Sequence, residues 1–424
     1  MTTVLLYDDA RARAFEPFAL TRPVSEMVAG VALIRERWRL ALHASRAQFI
    51  AGPMRAGFDE PGTRAAQGII PAGTIIANSR CAPVLPPDNA PLSPRAAACS
   101  IWRCGEQLAA IRIREAMDVS TFADGTLMLD DLRPGTGSIG DTDGWWMNDV
   151  WDFIRFLPQQ LASDVERIGH LVSGSSPDAH HAPDHATVLG KHQVFIAQPL
   201  AHGGEARPTV IEPHVIFDAT NGPIFVGAGS HIRGFTRITG PCYIGHEVQV
   251  MGGDISGCSI GDVSKVRGEM SASVVIGHSN KGHEGFVGHS YLGRWVNLGA
   301  GTTTSNLKNT YGPVSLWTPQ GVRETGMQFL GTFFGDHVKT GIGLRLTTGT
   351  VIGAGANVYG STPPKAVAPF SWGDAPDFEI YHVDKFVESA ERAMMRRHVH
   401  MTDRYKRHME IAHAERWTIG DAET

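Results

Sequence analysis

The chain has 424 residues, 19% of them charged, with a net charge of −5, 48 glycines and 25 prolines. That length suffices for two or three domains with substantial cores, and the composition suits tight-turned repetitive β structure better than a helical bundle or a disordered chain. The mild negative charge excludes an electrostatic case for nucleic acid or an acidic membrane as partner, so recognition of phosphate has to be local. The five cysteines (Cys81, Cys99, Cys104, Cys242 and Cys258) show no metal-ligand spacing and read as reduced, buried thiols of a cytoplasmic protein. No stretch approaches the roughly 18 apolar residues of a spanning helix, and the short apolar run ending at Asp8 and Asp9 reads as a first strand, not a signal peptide.

Residues 1–160 read as an α/β domain. Thr3–Tyr7 is a strand, and 24–42 reads as a helix with Ile34, Trp38, Ala41 and Leu42 on one side. Residues 68–77 and 126–129 read as further strands. The stretch 145–157 reads as a helix, with Trp146, Val150, Phe153 and Leu157 at helical spacing and Pro158 to stop it. Gly135–Gly140 matches a dinucleotide fingerprint in form, but it lacks the strand before and the helix after, and reads as a loop. Residues 161–186 form a linker whose polar part starts at 173. Its His180, His181 and His185 lack a frame that would fix zinc, and no metal site is assigned.

From 187 to 372 a six-residue period dominates, in which an aliphatic residue is followed by glycine, as at Val226-Gly227, Ile244-Gly245, Leu292-Gly293 and Ile352-Gly353. That period predicts a parallel β-helix, with the aliphatic positions in the core and glycine at the corners. Residues 306–327 break the pattern and read as a loop projecting from one coil. Residues 373–424 form a C-terminal helical segment, with one helix over 383–416 that packs along the prism or a neighbouring subunit.

Within the repeats, His283 stands between Gly282 and Gly285, and the run Gly299–Thr302 is small and open. A histidine near neutral pKa can accept a proton from an attacking amine, and a backbone N–H can hold an oxyanion. These are the parts of an acyl transfer.

The stretch from Lys281 through Gly288, followed by Asn297-Leu-Gly-Ala-Gly-Thr-Thr-Thr-Ser-Asn306, resembles the acetyltransferase half of the GlmU family, whose members make N-acetylglucosamine 1-phosphate and its UDP derivative. The segments Leu20–Met27, Ile34–Trp38, Gly335–Gly341 and Pro369–Gly373 are similar to a variant sugar nucleotidyltransferase group with a C-terminal hexapeptide-repeat domain. The resemblance implies a nucleotidyltransferase-like α/β domain, a left-handed β-helix and a homotrimer. It also implies a catalytic base at His283, a sugar contact at Asn297, and acetyl-CoA contacts at Ala300, Gly301, Thr302 and Asn306. Two positions depart from the family pattern: Phe286 replaces a tyrosine that contacts the sugar phosphate, and Ser271 falls where a phosphate-binding lysine is expected. Lys281 and Lys308, with Lys265 and Arg267, are candidates to replace that charge.

The N-terminal domain lacks the family's Gly-rich phosphate loop and carries Asp8 and Asp9 after its first strand. Arg11, Arg13 and Arg22 are the candidates for nucleotide phosphates, with Mg²⁺ needed only if this domain is active. The expected activity is acetyl transfer to an amino-sugar 1-phosphate in the cytoplasm. One alternative is a sugar-1-phosphate nucleotidyltransferase whose β-helix trimerises or regulates; another is a non-catalytic assembly protein.

Overall fold

Val4, Leu5, Leu6 and Tyr7 form a continuous apolar run, as a strand covered on both faces requires. The computed structural model describes residues 2–52, 55–87, 98–173, 182–199, 207–374 and 377–418. In it, Thr3–Tyr7 lies inside a six-stranded sheet, parallel to Arg46–Ile50 on one side and to Ile75–Asn78 on the other. The antiparallel pair Cys99–Cys104 and Gln107–Arg112 extends the sheet, and Ser138–Asp141 forms its edge. The fingerprint-like segment therefore ends in an edge strand and is not wholly loop.

This sheet belongs to the first of two compact units, Met1–Asp152 with Met401–Glu415; the second is Phe153–His400 with Arg416–Thr424. In the first unit the helix expected over 24–42 is shorter. Val24–Glu26 is a 3₁₀ turn, Val28–Ala29 pairs with Ala32–Leu33 around Gly30 at φ +62°, and the helix is Ile34–Ala41. A backbone turn that glycine permits overrides the helical spacing there. No strand forms at 126–129.

Pro158 does not stop a helix. It lies in the first turn of Leu157–Ser173, where a missing N–H costs nothing, and Leu157, Leu161 and Val165 bury one face. The expected linker thus starts as helix, and His180 and His181 lie outside the described residues.

The second unit is a left-handed parallel β-helix with three sheets. One face runs from Thr187–Gly190 to Val287–Gly288, the second from Val194–Ile196 to Ala366–Val367, and the third from Val210–Ile211 to Asn280–Lys281. The third continues through Asn297 to Lys339–Thr340. On the second face, Val226, Ile244, Ile260, Val275, Leu292, Phe334, Ile352 and Val367 align coil upon coil and are fully buried. Burying each such side chain contributes about 1.5–3 kcal/mol over leaving it exposed.

The glycine after the aliphatic residue has a different reason from the one expected. Positive φ is not what most of these glycines supply: it falls at other positions, on glycines such as Gly229, Gly301 and Gly355 and on His278, His289, Trp295 and His337. The repeat glycines instead yield to the next coil: a Cβ on Gly227 would lie 2.5 Å from the Gly245 backbone, and one on Gly353 would lie 2.3 Å from Pro369 N. The insertion at 306–327 carries an antiparallel hairpin, Ser315–Thr318 with Gly321–Glu324.

The C-terminal segment is two helices. In Val383–Met395, Phe386 packs edge-on against Phe370 at 4.9 Å, on the β-helix. His398 then takes φ +59°, and Thr402 caps a second helix, Asp403–Ala414, that belongs to the first unit. In that unit a ring nitrogen of buried His408 meets Thr21 O at 2.8 Å.

Candidate functional site

His283 lies in the bend between the third and first faces, just past Asn280–Lys281, with its side chain exposed. A Cβ on Gly285, at φ +134°, would sit 2.2 Å from Thr302 O, so this corner accepts only glycine. In the next coil, Gly301 N donates to Glu284 O at 3.0 Å, which sets Ala300–Gly301 beside His283–Glu284. The His283 imidazole and the Ala300 N–H have no hydrogen-bond partner among the described residues. A proton acceptor and a free amide donor thus share one corner.

Lys281 does not face a ligand. It is 3% exposed, and its ammonium donates to Arg267 O at 2.6 Å and His283 O at 3.0 Å. Burial pushes its pKa down to about 8, against the opposing charges of Glu284 and Glu269. The phosphate role expected of it is replaced by anchoring of the corner. Arg267 is paired with Glu284 at 2.7 Å. Thr302 is also structural: it is buried, with its hydroxyl 2.8 Å from that of Thr340.

Asn297 stands apart from His283, on the third face, where its Oδ1 accepts from Asn280 Nδ2 at 2.8 Å. It lines a cavity of about 320 Å³ whose wall includes Lys265, Lys339, Arg396 and Arg397 and does not include His283. Phe286 and Asn306 meet on the first face, over Gly288, and Asn306 Nδ2 lies 2.9 Å from His289 Nδ1. Burial pushes the His289 pKa down, which favours its neutral form. Lys308 lines a separate cavity of about 740 Å³ with Arg345 and Lys365. The structure therefore brings His283 and Ala300 together, gathers Phe286 and Asn306 elsewhere, and leaves Asn297 in a basic cavity. Of the cations of that cavity only Lys265 was a candidate from the sequence; Lys339, Arg396 and Arg397 went unread because their positions along the chain share no motif with it.

In the first unit the three arginines offered to nucleotide phosphates are all engaged by protein. Arg11 bonds Asn148 O and Asp149, both at 2.7 Å. Arg13 donates to the carbonyls of Asp8, Phe122 and Ala123. Arg22, fully buried, grips both oxygens of Glu60 at 2.7 and 3.1 Å. Asp9 is held by Arg80 at 2.8 Å, and Asp8 accepts the Val24 N–H at 2.9 Å.

Residues 4–170 match the family described as sugar nucleotidyl transferase. The bifunctional sugar-1-phosphate nucleotidylyltransferase/acetyltransferase of Sulfurisphaera tokodaii is 36% identical over 91 residues, 22% of this chain and 23% of that protein. The chain is similar to GlmU-like bifunctional proteins. The bifunctional protein GlmU of Methanococcus vannielii is 32% identical over 95 residues, 22% of each chain. That of Carboxydothermus hydrogenoformans is 26% identical over 202 residues, 43% of this chain and 41% of the relative. The matches span less than half the length of these GlmU-like relatives. Among the described residues no helix is long and apolar enough to cross a membrane.

Proposed function

We propose that this chain is a transferase of nucleotide-sugar metabolism, acting in the cytoplasm, whose β-helix acetylates an amino-sugar 1-phosphate of the glucosamine 1-phosphate class. The observation that carries this reading is the shared corner of His283 and Ala300, an exposed imidazole beside an unengaged amide. Acetyl-CoA would supply the activated acyl group, held by the open run Ala300–Gly301. The fit rests on that free amide and on the absence of side-chain bulk there. His283 takes the proton that the acceptor nitrogen releases as it bonds to the acyl carbon, the Ala300 N–H faces the developing negative oxygen, and the C–S bond then breaks so that coenzyme A leaves as its thiol. Asn297 contacts the sugar, while Asn306, fixed by His289, and Phe286 shape the adjoining face. A homotrimer would set the flat faces of neighbouring prisms against these sites.

The family match over residues 4–170 favours a second activity, sugar-1-phosphate nucleotidyl transfer, for the first unit. Mg²⁺ belongs only to that activity. Asp9 is already gripped by Arg80, and among the described residues no group of three or more metal-ligating side chains gathers, so no step is assigned to the metal. Thiol release from acetyl-CoA across amino-sugar 1-phosphates, on wild type and His283→Ala, tests the main reading; equal rates would eliminate His283 as the base.

A further inference from the structure

Lys265, Asn280, Asn297 and Lys339 occupy matching positions in successive coils of the third face. At the strand spacing of a sheet, the row covers about 14 Å. Arg396 and Arg397, just past the Val383–Met395 helix, reach the same cavity of about 320 Å³.

These cations are not neutralised by the protein. Arg392, on the rim, has Glu388 at 2.6 Å. Lys265, Lys339, Arg396 and Arg397 form no ion pair among the described residues. The buried Arg397 Nε has no acceptor, and Lys339 Nζ reaches only His337 O at 3.3 Å.

We propose that this cavity is a phosphate site, which takes the phosphomonoester dianion of a small sugar between the third face and the C-terminal arginines. Like charges held together in a partly desolvated space are unfavourable until an anion joins them, and arginine with lysine suits a phosphoryl oxygen cluster. Their acidities reflect the crowding. Burial, then Arg397 and Arg396, lowers the Lys265 pKa; burial brings Lys339 to about 8; burial and Arg396 lower Arg397. The volume lies at the low end of ligand cavities, which suits a monosaccharide phosphate rather than a whole nucleotide cofactor. Asn297 on the same wall supplies an amide for the sugar. In assigning the phosphate to the acceptor, the inference rests on the acetyl-transfer reading, and it moves the missing charge at Ser271 to a place the family pattern does not predict.

Isothermal titration of the full chain tests it, with glucosamine 1-phosphate, glucosamine, inorganic phosphate, coenzyme A and 3′-dephospho-coenzyme A as probes. Arg396→Gln/Arg397→Gln leaves the coil core intact and is compared with Lys339→Met. Glucosamine 1-phosphate and inorganic phosphate should bind, glucosamine should not, and the arginine variant should weaken the sugar phosphate about tenfold or more. Unchanged affinity in both variants overturns the site. A loss confined to coenzyme A relative to its dephospho form overturns the assignment to the acceptor. Phosphate-dependent binding without thiol release leaves the site standing and sinks the acetyl-transfer reading; normal thiol release in both variants does the reverse.

Discussion

Lys281 occupies the inward column that Ile211, Ile232, Val250 and Val266 fill in the preceding coils, and its ammonium holds the His283 carbonyl at 3.0 Å. A charged side chain in an aliphatic column is stable only if its donors are satisfied, and here two main-chain oxygens do so. The corner that presents His283 is thereby tied from inside.

A first expectation concerns His283 itself. His283→Ala should lower thiol release by about 10²–10⁴-fold. Because the ring is exposed and touches no hydrogen-bonding partner, the melting temperature should barely move. A large drop in melting temperature would instead mark the residue as structural.

Stability should depend on alkaline pH in a defined direction. Lys281 and Lys339 fall to about 8 in the folded chain, from an ordinary 10.5. Between those values the unfolded chain binds more protons than the folded one, so stability rises as pH climbs from about 8 to about 10.5. Denaturant titrations across that window should show the rise, and Lys281→Met should flatten it. A slope unaltered in Lys281→Met would show that its ammonium is not desolvated.

Gly285→Ala places a methyl against Thr302 O in a backbone conformation that side chains avoid. It should cost at least about 1–3 kcal/mol and reduce acetyl transfer through displacement of His283. Chemical denaturation and thiol release read the two effects separately.

In the aliphatic column of the second face, Leu292→Ala should cost about 2–5 kcal/mol, since the coils above and below keep the space open. Circular dichroism during denaturation measures it; a loss under 1 kcal/mol would contradict a packed prism.

Arg22→Met should unfold or severely weaken the first unit, because it breaks a buried ion pair and strips the Glu60 carboxylate of both guanidinium contacts, at about 3–5 kcal/mol. A nucleotide-binding arginine would give the opposite result, an intact fold with weakened nucleotide affinity.

The prism was legible in the chain because close stacking of coils leaves a chemical trace, an aliphatic residue and then a residue with no side chain. Lys281 escaped the same reading for a physical reason. Its coil is 15 residues long after Val266, whereas the one before is 16, so the inward phase drifts and only the register restores it. His283 was legible through the glycines that its tight corner demands. Of the basic cavity only Lys265 was legible, since its other cations come from a later coil and from beyond the Val383–Met395 helix, far apart in sequence. In the first unit, helical spacing over 24–42 misled because Gly30 and a two-residue hairpin interrupt it.

The Asp403–Ala414 helix, bonded through His408 to Thr21, has a temporal meaning. A ribosome releases this segment after nearly all of the β-helix has emerged, so the part made first is completed last. Expressing residues 4–170 alone would yield a first unit without the helix that bonds Thr21 and packs its His408 on Phe58. Separating the two halves for assay calls for supplying 401–415 in trans or by circular permutation.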